Sequence, residues 1–231
     1  MPSGYYQFCP VAMAAETLSK RWTLVLLREL LAGSTRFNEL RRGLPRMSPG
    51  LLSARLKELE AAGIVRAHGA AGETGPREYI LTAAGRDLAP VIAAVGIWGQ
   101  RWVGTDPSLD NLDPALLMWD MRRSLDAAAF PAGRSVVNFI FPDRPASQRN
   151  WWLIVKPEDG VDLCHADPGF DVDLFVTAEL RSITAVWLGL ATVKGEIAAG
   201  RIVADGDRAL ASRMQGWLGL SHFAGEPKQA V

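Results

Sequence analysis

One stretch limits the fold of this chain more than any other. RFNELRRGLPRMSPGLLSARLKELEAAG, residues 36–63, sets two short amphipathic patterns around a turn that contains proline. In its second half Ser48 stands where a helix N-cap must stand, and Pro49 takes the first helical position, where its missing N–H is no loss. Leu52, Leu56 and Leu59 then fall on one helical face and Gly63 closes the helix. With Leu52 turned to a core, Gly50, Ala54 and Lys57 point the other way and Ser53 lies on the flank. The outer face is therefore small near its start and carries one cation farther along. Arg55 lies nearer the core side, where Glu39 or Glu58 is its expected ion-pair partner.

The neighbouring segments complete a recognisable order. Residues 11–33 read as helix, VAMAAETLSKRW and then TLVLLRELLAG, with Leu18, Trp22, Val25, Leu26 and Leu30 at helical spacing and Gly33 as the stop. A short helix from Thr35 or Arg36 to about Arg42 turns Phe37 and Leu40 inward, and Leu44, Pro45 and Arg46 end it. IVRAH and REYILT read as strands joined by the glycine-rich tip GAAGETGP. Thr82 caps a long helix to about Trp102, bent at Pro90, in which Leu88, Val91 or Ile92, Val95, Trp98 and Trp102 recur at three- and four-residue steps. This is the layout of a winged helix-turn-helix.

Groove size gives that layout its chemistry. The major groove of B-DNA admits one α-helix, which a second helix must hold proud of the body. The expected DNA-binding set is Arg36, Arg46, Ser48, Pro49, Gly50, Ser53, Ala54, Lys57 and Arg77. Small residues let the backbone approach bases, while Arg36, Arg41, Arg42 and Arg46, at helix ends or in the turn, reach phosphates. Arg77, at the end of the glycine-rich loop, is placed to reach an adjacent groove. Any amphipathic helix has a charged outer face, and that plain reading covers most such runs. The conjunction of cap, turn, helix, hairpin and local charge favours duplex DNA. Residues 1–104 hold 13 Lys and Arg against 8 Asp and Glu, the remainder 12 against 17, so only the first part favours a polyanion.

CP at 9–10, RWT at 21–23, RFNEL at 36–40, MSPGLLSARLKELEAAGIV at 47–65 and PREYILTAAGRDL at 76–88 resemble the HxlR-type transcriptional regulators. The resemblance covers about residues 5–102 and implies a homodimeric winged-helix protein on a roughly palindromic operator. The position after Pro49, often basic in that family, is Gly50 here. Ala93, Ala94, Gly96 and Gly99 permit close helix approach, so Leu88, Val95, Trp98 and Trp102 are the expected dimerisation residues, against the alternative that the helix caps its own domain. Cys9 precedes Pro10 at a helix start, where the dipole lowers a thiol pKa. Some proteins of the resembled family sense oxidants or electrophiles through a cysteine in this place, which makes Cys9 a redox candidate beside the reading as an anchor of the N-terminal arm.

GTDPSLDNLDP, 104–114, is the expected domain boundary, between a DNA-binding and dimerisation domain at 1–104 and a second domain at 105–231. A helix from about Pro114 to Ala128 leads to strand-like SVVNFIF, WWLIVK, VDLCH and DLFVTA, followed by helical patterns at 179–189, around 192–199 and at 207–218. This is an α+β domain of sheet and helices, and the tail after Phe223 reads as disordered. Its large residues Phe139, Phe141, Trp152, Phe175, Trp187 and Trp217 read mainly as core. The run DVDLFVTAELRSITAVWLGLATVKGEIAAGRIVADGDRALASRM resembles the sterol-carrier-protein-like fold. That resemblance covers about 135–218 and implies helices over a sheet around an apolar cavity, those six aromatics as ligand-binding residues, and a hydrophobic small-molecule effector.

No phosphate loop, dinucleotide fingerprint or metal-ligand cluster occurs, and no cofactor is expected. His165 follows Cys164, and strand alternation separates their side chains, so the chain reads as no enzyme. No apolar run reaches the roughly 18 residues of a membrane span, and MPSGYYQFCP lacks a secretory layout, so a cytoplasmic place is expected. The combined expectation is a ligand-controlled operator-binding regulator. Its rivals are a regulator sensing through Cys9, and a lipid or small-molecule carrier whose winged helix mainly dimerises.

Overall fold

Two helices, α1 (Pro10–Leu18) and α2 (Thr23–Leu31), stand at the two successive helical runs expected over 11–33. Between them Trp22 takes a φ of 78°, a left-handed conformation that ends any helical path. The computed structural model describes residues 4–69, 77–104 and 109–229, and the chain divides into two compact units, Met1–Gly96 and Ile97–Val231.

In the first unit the apolar stripe of α2 is enclosed by α3 (Phe37–Gly43) and α4 (Pro49–Ala61). Leu26, Leu27, Leu40, Leu52 and Leu56 are fully buried, with Leu59 nearly so. Leu44 and Met47, at 2% and 4% exposure, plug the turn between α3 and α4 into this core and so fix where α4 starts. A leucine set buried this completely stabilises by about 1.5–3 kcal/mol per side chain relative to exposure. Strands β1 (Val65–His68) and β2 (Glu78–Leu81) pair antiparallel, Val65 opposite Leu81 and His68 opposite Glu78. The Tyr79 amide donates to the Thr35 carbonyl at 2.7 Å, tying the hairpin to the approach to α3. The glycine-rich tip expected of this hairpin lies, beyond Gly69, outside the described residues.

Thr82 does cap a helix, its hydroxyl accepting from the Gly85 amide at 3.2 Å, but that helix is short: α5 is Ala83–Arg86. The chain restarts as α6 (Ala89–Trp102), with Pro90 inside its first turn. The proline therefore starts a helix rather than bending one. Close packing dictates α5: a Cβ on Gly85 would lie 2.2 Å from the Ile64 carbonyl oxygen.

The second unit is built on a five-stranded sheet in the order β5-β4-β3-β6-β7. Its strands are β3 (Ser135–Ile140), β4 (Asn150–Lys156), β5 (Gly160–Cys164), β6 (Leu174–Ala178) and β7 (Ile202–Gly206). All pairs are antiparallel except β3 with β6. Helices α7 (Pro114–Ser124), α9 (Leu180–Trp187) and α10 (Val193–Ala198) supply buried side chains to one core with Val137, Phe139, Leu153, Val155, Leu174 and Val176. Between β3 and β4 lies the one-turn helix α8 (Ala146–Arg149). The expected last helix divides into α11 (Arg208–Ser212) and α12 (Met214–Trp217). The fold class is thus α+β throughout.

Residues 224–229 of the tail are tied down by hydrogen bonds, contrary to the sequence expectation. Glu226 accepts two hydrogen bonds from the Arg101 guanidinium at 2.6 and 2.9 Å, the Gln229 amide donates to the Arg101 carbonyl, and the Lys228 ammonium donates to the Val103 carbonyl. Those partners lie far away in sequence, which is why composition alone read the tail as loose.

Candidate nucleic-acid interface

The side of α4 that faces away from Leu52, Leu56 and Leu59 is uncovered. The Ser48 hydroxyl accepts from the Leu51 amide at 3.3 Å and Pro49 follows, so the helix begins as its sequence requires. Gly50, Ala54 and Lys57 are exposed and Ser53 is half-buried. A Cβ placed on Gly50 would meet nothing within 4 Å. Among the described residues Lys57 makes no ion pair, so its ammonium is available to an external anion. The helix face thus offers backbone at its start and a charge two turns on, a combination suited to a groove wall lined by phosphates.

Beside it lies a cleft of about 660 Å³ lined by Asn38, Arg41, Arg42, Pro45, Arg46, Met47, Ser48 and Pro49. Arg41 and Arg42 sit in the last turn of α3, where the helix dipole favours cations. Arg46 extends the same charge along the turn and is exposed. Three guanidiniums around a polar cleft favour bidentate contact with phosphate oxygens.

Two residues of the expected set are already committed elsewhere. Arg36 pairs through Nε with Glu78 at 3.2 Å, joining the start of α3 to β2. Arg77 pairs with Glu60 at 3.5 Å and stands over the Tyr79 ring, 5.4 Å from its centroid. Both side chains remain about half exposed, so these pairs are weak surface interactions. Their partners come from other elements, which spacing along the chain does not reveal. Arg55 pairs with Glu58, as expected, and Lys20 joins the same carboxylate at 3.0 Å. The Lys20 hydrogen bond, more than the Arg55 one, holds the Glu58 carboxyl below its ordinary pKa against the opposing effect of burial. This cluster ties the turn after α1 to the middle of α4.

Cys9 is the N-cap of α1, and its thiol is exposed. Backbone N–H groups of Ala12 and Val11 lower its pKa. Along α6, Ile92 enters the core while Val95, Trp98 and Trp102 are exposed at 47%, 62% and 51%; Leu88 is half-buried. Sequence reasoning missed a second apolar surface, at the N-terminus, where Tyr6, Phe8 and Val11 are more than three-quarters exposed. It missed Glu29 as well, which is fully buried; the spacing Leu26, Glu29, Leu30 already set that carboxylate on the apolar stripe.

The six aromatics of the second unit do not share one space. Phe139, Phe141 and Trp217 are fully enclosed and Trp187 nearly so, all within the close-packed core. Phe175 is 41% exposed on the opposite face of the sheet, because alternation along β6 separates it from Leu174 and Val176. Trp152, half-buried, is separated from Trp151 and Leu153 in the same way. Four of the six thus belong to one buried cluster, and Trp152 and Phe175 stand outside it.

The HxlR-like helix-turn-helix family model matches residues 17–107. The HTH-type transcriptional regulator YvaP of Bacillus subtilis (strain 168) is 42% identical over 104 residues, which cover 44% of this chain and 94% of that protein. A second regulator of the same organism, YdeP, is 33% identical over 113 residues, 49% of this chain and 86% of its own. Among solved structures, that of the redox regulator HypR in its reduced form is 34% identical, covers 40% of this chain and 91% of that one, and has a TM-score of 0.37.

Proposed function

Because the chain belongs to the HxlR-like helix-turn-helix family of transcriptional regulators, we propose that it reads an operator through the outer side of α4 as a homodimer. The observation that carries this reading is the uncovered face of Gly50, Ala54 and Lys57 beside the arginine-lined cleft. Gly50 and Ala54 approach base edges, Lys57 and Arg41 hold phosphates, and Arg42 and Arg46 extend the phosphate contact along the turn. Arg36 and Arg77 brace the wing and reach the backbone only on exchanging Glu78 and Glu60 for phosphate. A single winged helix makes few base contacts, so selectivity is supplied by a second copy whose recognition helix lies about 34 Å away, one helical turn of DNA. The exposed Val95, Trp98 and Trp102 along α6, with Leu88 just before it, are offered to that copy.

For the second unit the reading is sensory. A hydrophobic effector would act by favouring one spacing of the two recognition helices. A groove of about 530 Å³ lined by Ile197, Ile202, Val203, Ala204 and Arg208 offers it one place. A second reading keeps the DNA surface and makes Cys9 the sensor, supported by its exposed, acidified thiol. Cys9→Ser separates the two: a retained response to an oxidant removes Cys9 as sensor.

The direct test is a gel shift of the full chain on the duplex upstream of its own gene, with unrelated duplex as competitor. A shift that survives the competitor supports an operator-binding regulator. Binding without sequence preference at every protein concentration would leave the winged helix as a dimerisation module of a carrier.

A further inference from the structure

Glu29 is the one fully buried carboxylate among the described residues of the first unit, and α2 turns it toward the end of α3. A charge in that place needs partners, since burying a carboxylate without them is strongly unfavourable. The Ser34 hydroxyl donates to Oε1 at 2.7 Å, and Arg28 Nη2 donates to Oε2 at 3.0 Å. The same Arg28 nitrogen donates to the Gly43 carbonyl oxygen at 3.3 Å. The Ser34 amide donates to the Glu29 backbone carbonyl at 3.2 Å. One carboxylate thus joins α2, the turn that follows it, and the last residue of α3.

Gly43 completes the arrangement. A Cβ there would lie 2.0 to 2.3 Å from the three carboxyl atoms of Glu29. Gly43 is absent from the left-handed glycines, so the position demands space, not backbone freedom. The carboxylate and the bare glycine define each other's place. Directly before Gly43 stand Arg41 and Arg42, and directly after it the buried Leu44 leads to Arg46, the three arginines of the cleft.

We propose that Glu29 is a positioning residue for DNA binding: its carboxylate, seated against Gly43, fixes the end of α3 so that Arg41, Arg42 and Arg46 meet the phosphate backbone together. The proposal rests on the operator-binding reading and assigns it a device. An N⁺–H···O⁻ contact holds only near 2.7–2.9 Å, so a shift of about 1 Å at Gly43 removes several contacts at once. A carboxylate that merely stabilised the core would leave those contacts intact in every molecule that folds.

The test uses the full chain and the duplex upstream of its gene, with affinity followed by fluorescence anisotropy over a salt series and the folded fraction measured alongside. Each phosphate contact contributes a slope of about 0.9 to the fall of log affinity with log salt. Glu29→Gln and Gly43→Ala are expected to fold, to lose about tenfold or more in affinity at low salt, and to lower the slope by roughly two contacts. In a Glu29→Ala background the added methyl of Gly43→Ala occupies vacated space, so it costs no further affinity. Should Glu29→Gln fail to fold, Gly43→Ala and the double variant still decide. Variants that melt earlier but bind with the wild-type slope overturn the positioning role alone. A wild-type chain with no salt-dependent binding overturns the operator reading, and the positioning role with it.

Discussion

Gly50→Ala should make the protein more stable and its DNA binding weaker. Gly50 is the second residue of α4, its backbone is outside the left-handed region, and an added Cβ meets no protein atom within 4 Å. Replacing a helical glycine by alanine stabilises by about 0.5–1 kcal/mol, because the unfolded chain loses freedom it would otherwise surrender on folding. At a helix start the lower figure applies, and about 0.5 kcal/mol raises the melting temperature of a unit of this size by roughly 2–4 °C. On the operator the same methyl stands where the backbone must come closest to a base edge. Overpacking of that kind costs about 1–3 kcal/mol, and 1.4 kcal/mol is about tenfold in affinity. Calorimetry on the free protein and anisotropy on the operator duplex read the two effects separately. A melting temperature that rises with affinity unchanged would place the recognition surface elsewhere. A melting temperature that falls would mean that Gly50 is covered.

The other expectations concern the core, the dimer and one carboxylate. Leu56→Ala, at a site with no exposure, should lower stability by about 2–5 kcal/mol in urea unfolding, and a loss below 1 kcal/mol would contradict its place in the core. Val95→Glu with Trp98→Glu should yield a folded monomer in sedimentation; a dimer that persists moves the interface off α6. Glu58 has a lowered pKa in the folded state, so its stabilising effect is present above the ordinary value near 4.3 and is lost as pH falls through the lowered one. Wild type and Glu58→Gln should therefore converge in stability in acid and differ by at most about 1 kcal/mol at neutral pH, the pair being half exposed.

The elements around the recognition helix were legible because their signals are local. Ser48, Pro49 and the leucine spacing specify α4 without reference to anything distant, and the same holds for the hairpin strands and most elements of the second unit. What escaped depends on partners remote in sequence. The ion pairs of Arg36 with Glu78 and of Arg77 with Glu60 escaped because those carboxylates become neighbours only in three dimensions. Glu226 and Lys228 made the tail look solvated until Arg101 and the Val103 carbonyl supplied their partners. Nothing in the spacing singled out Gly43, and only the position of Glu29 shows that its place is a matter of volume. The aromatic residues of the second unit were correctly read as mostly core, four of the six lying in one buried cluster. Composition says how much apolar surface must be buried, and packing alone decides whether a hollow remains.

Operator binding requires α4 to meet a polyanion with its outer side, and the salt dependence of Lys57→Ala measures that contact most directly. On the duplex upstream of the gene, wild-type affinity should fall steeply with salt. Lys57→Ala should fold normally, bind more weakly at low salt, and show a slope smaller by about one contact, or 0.9. A variant with the wild-type affinity and the wild-type slope would contradict the claim that this face of α4 enters DNA.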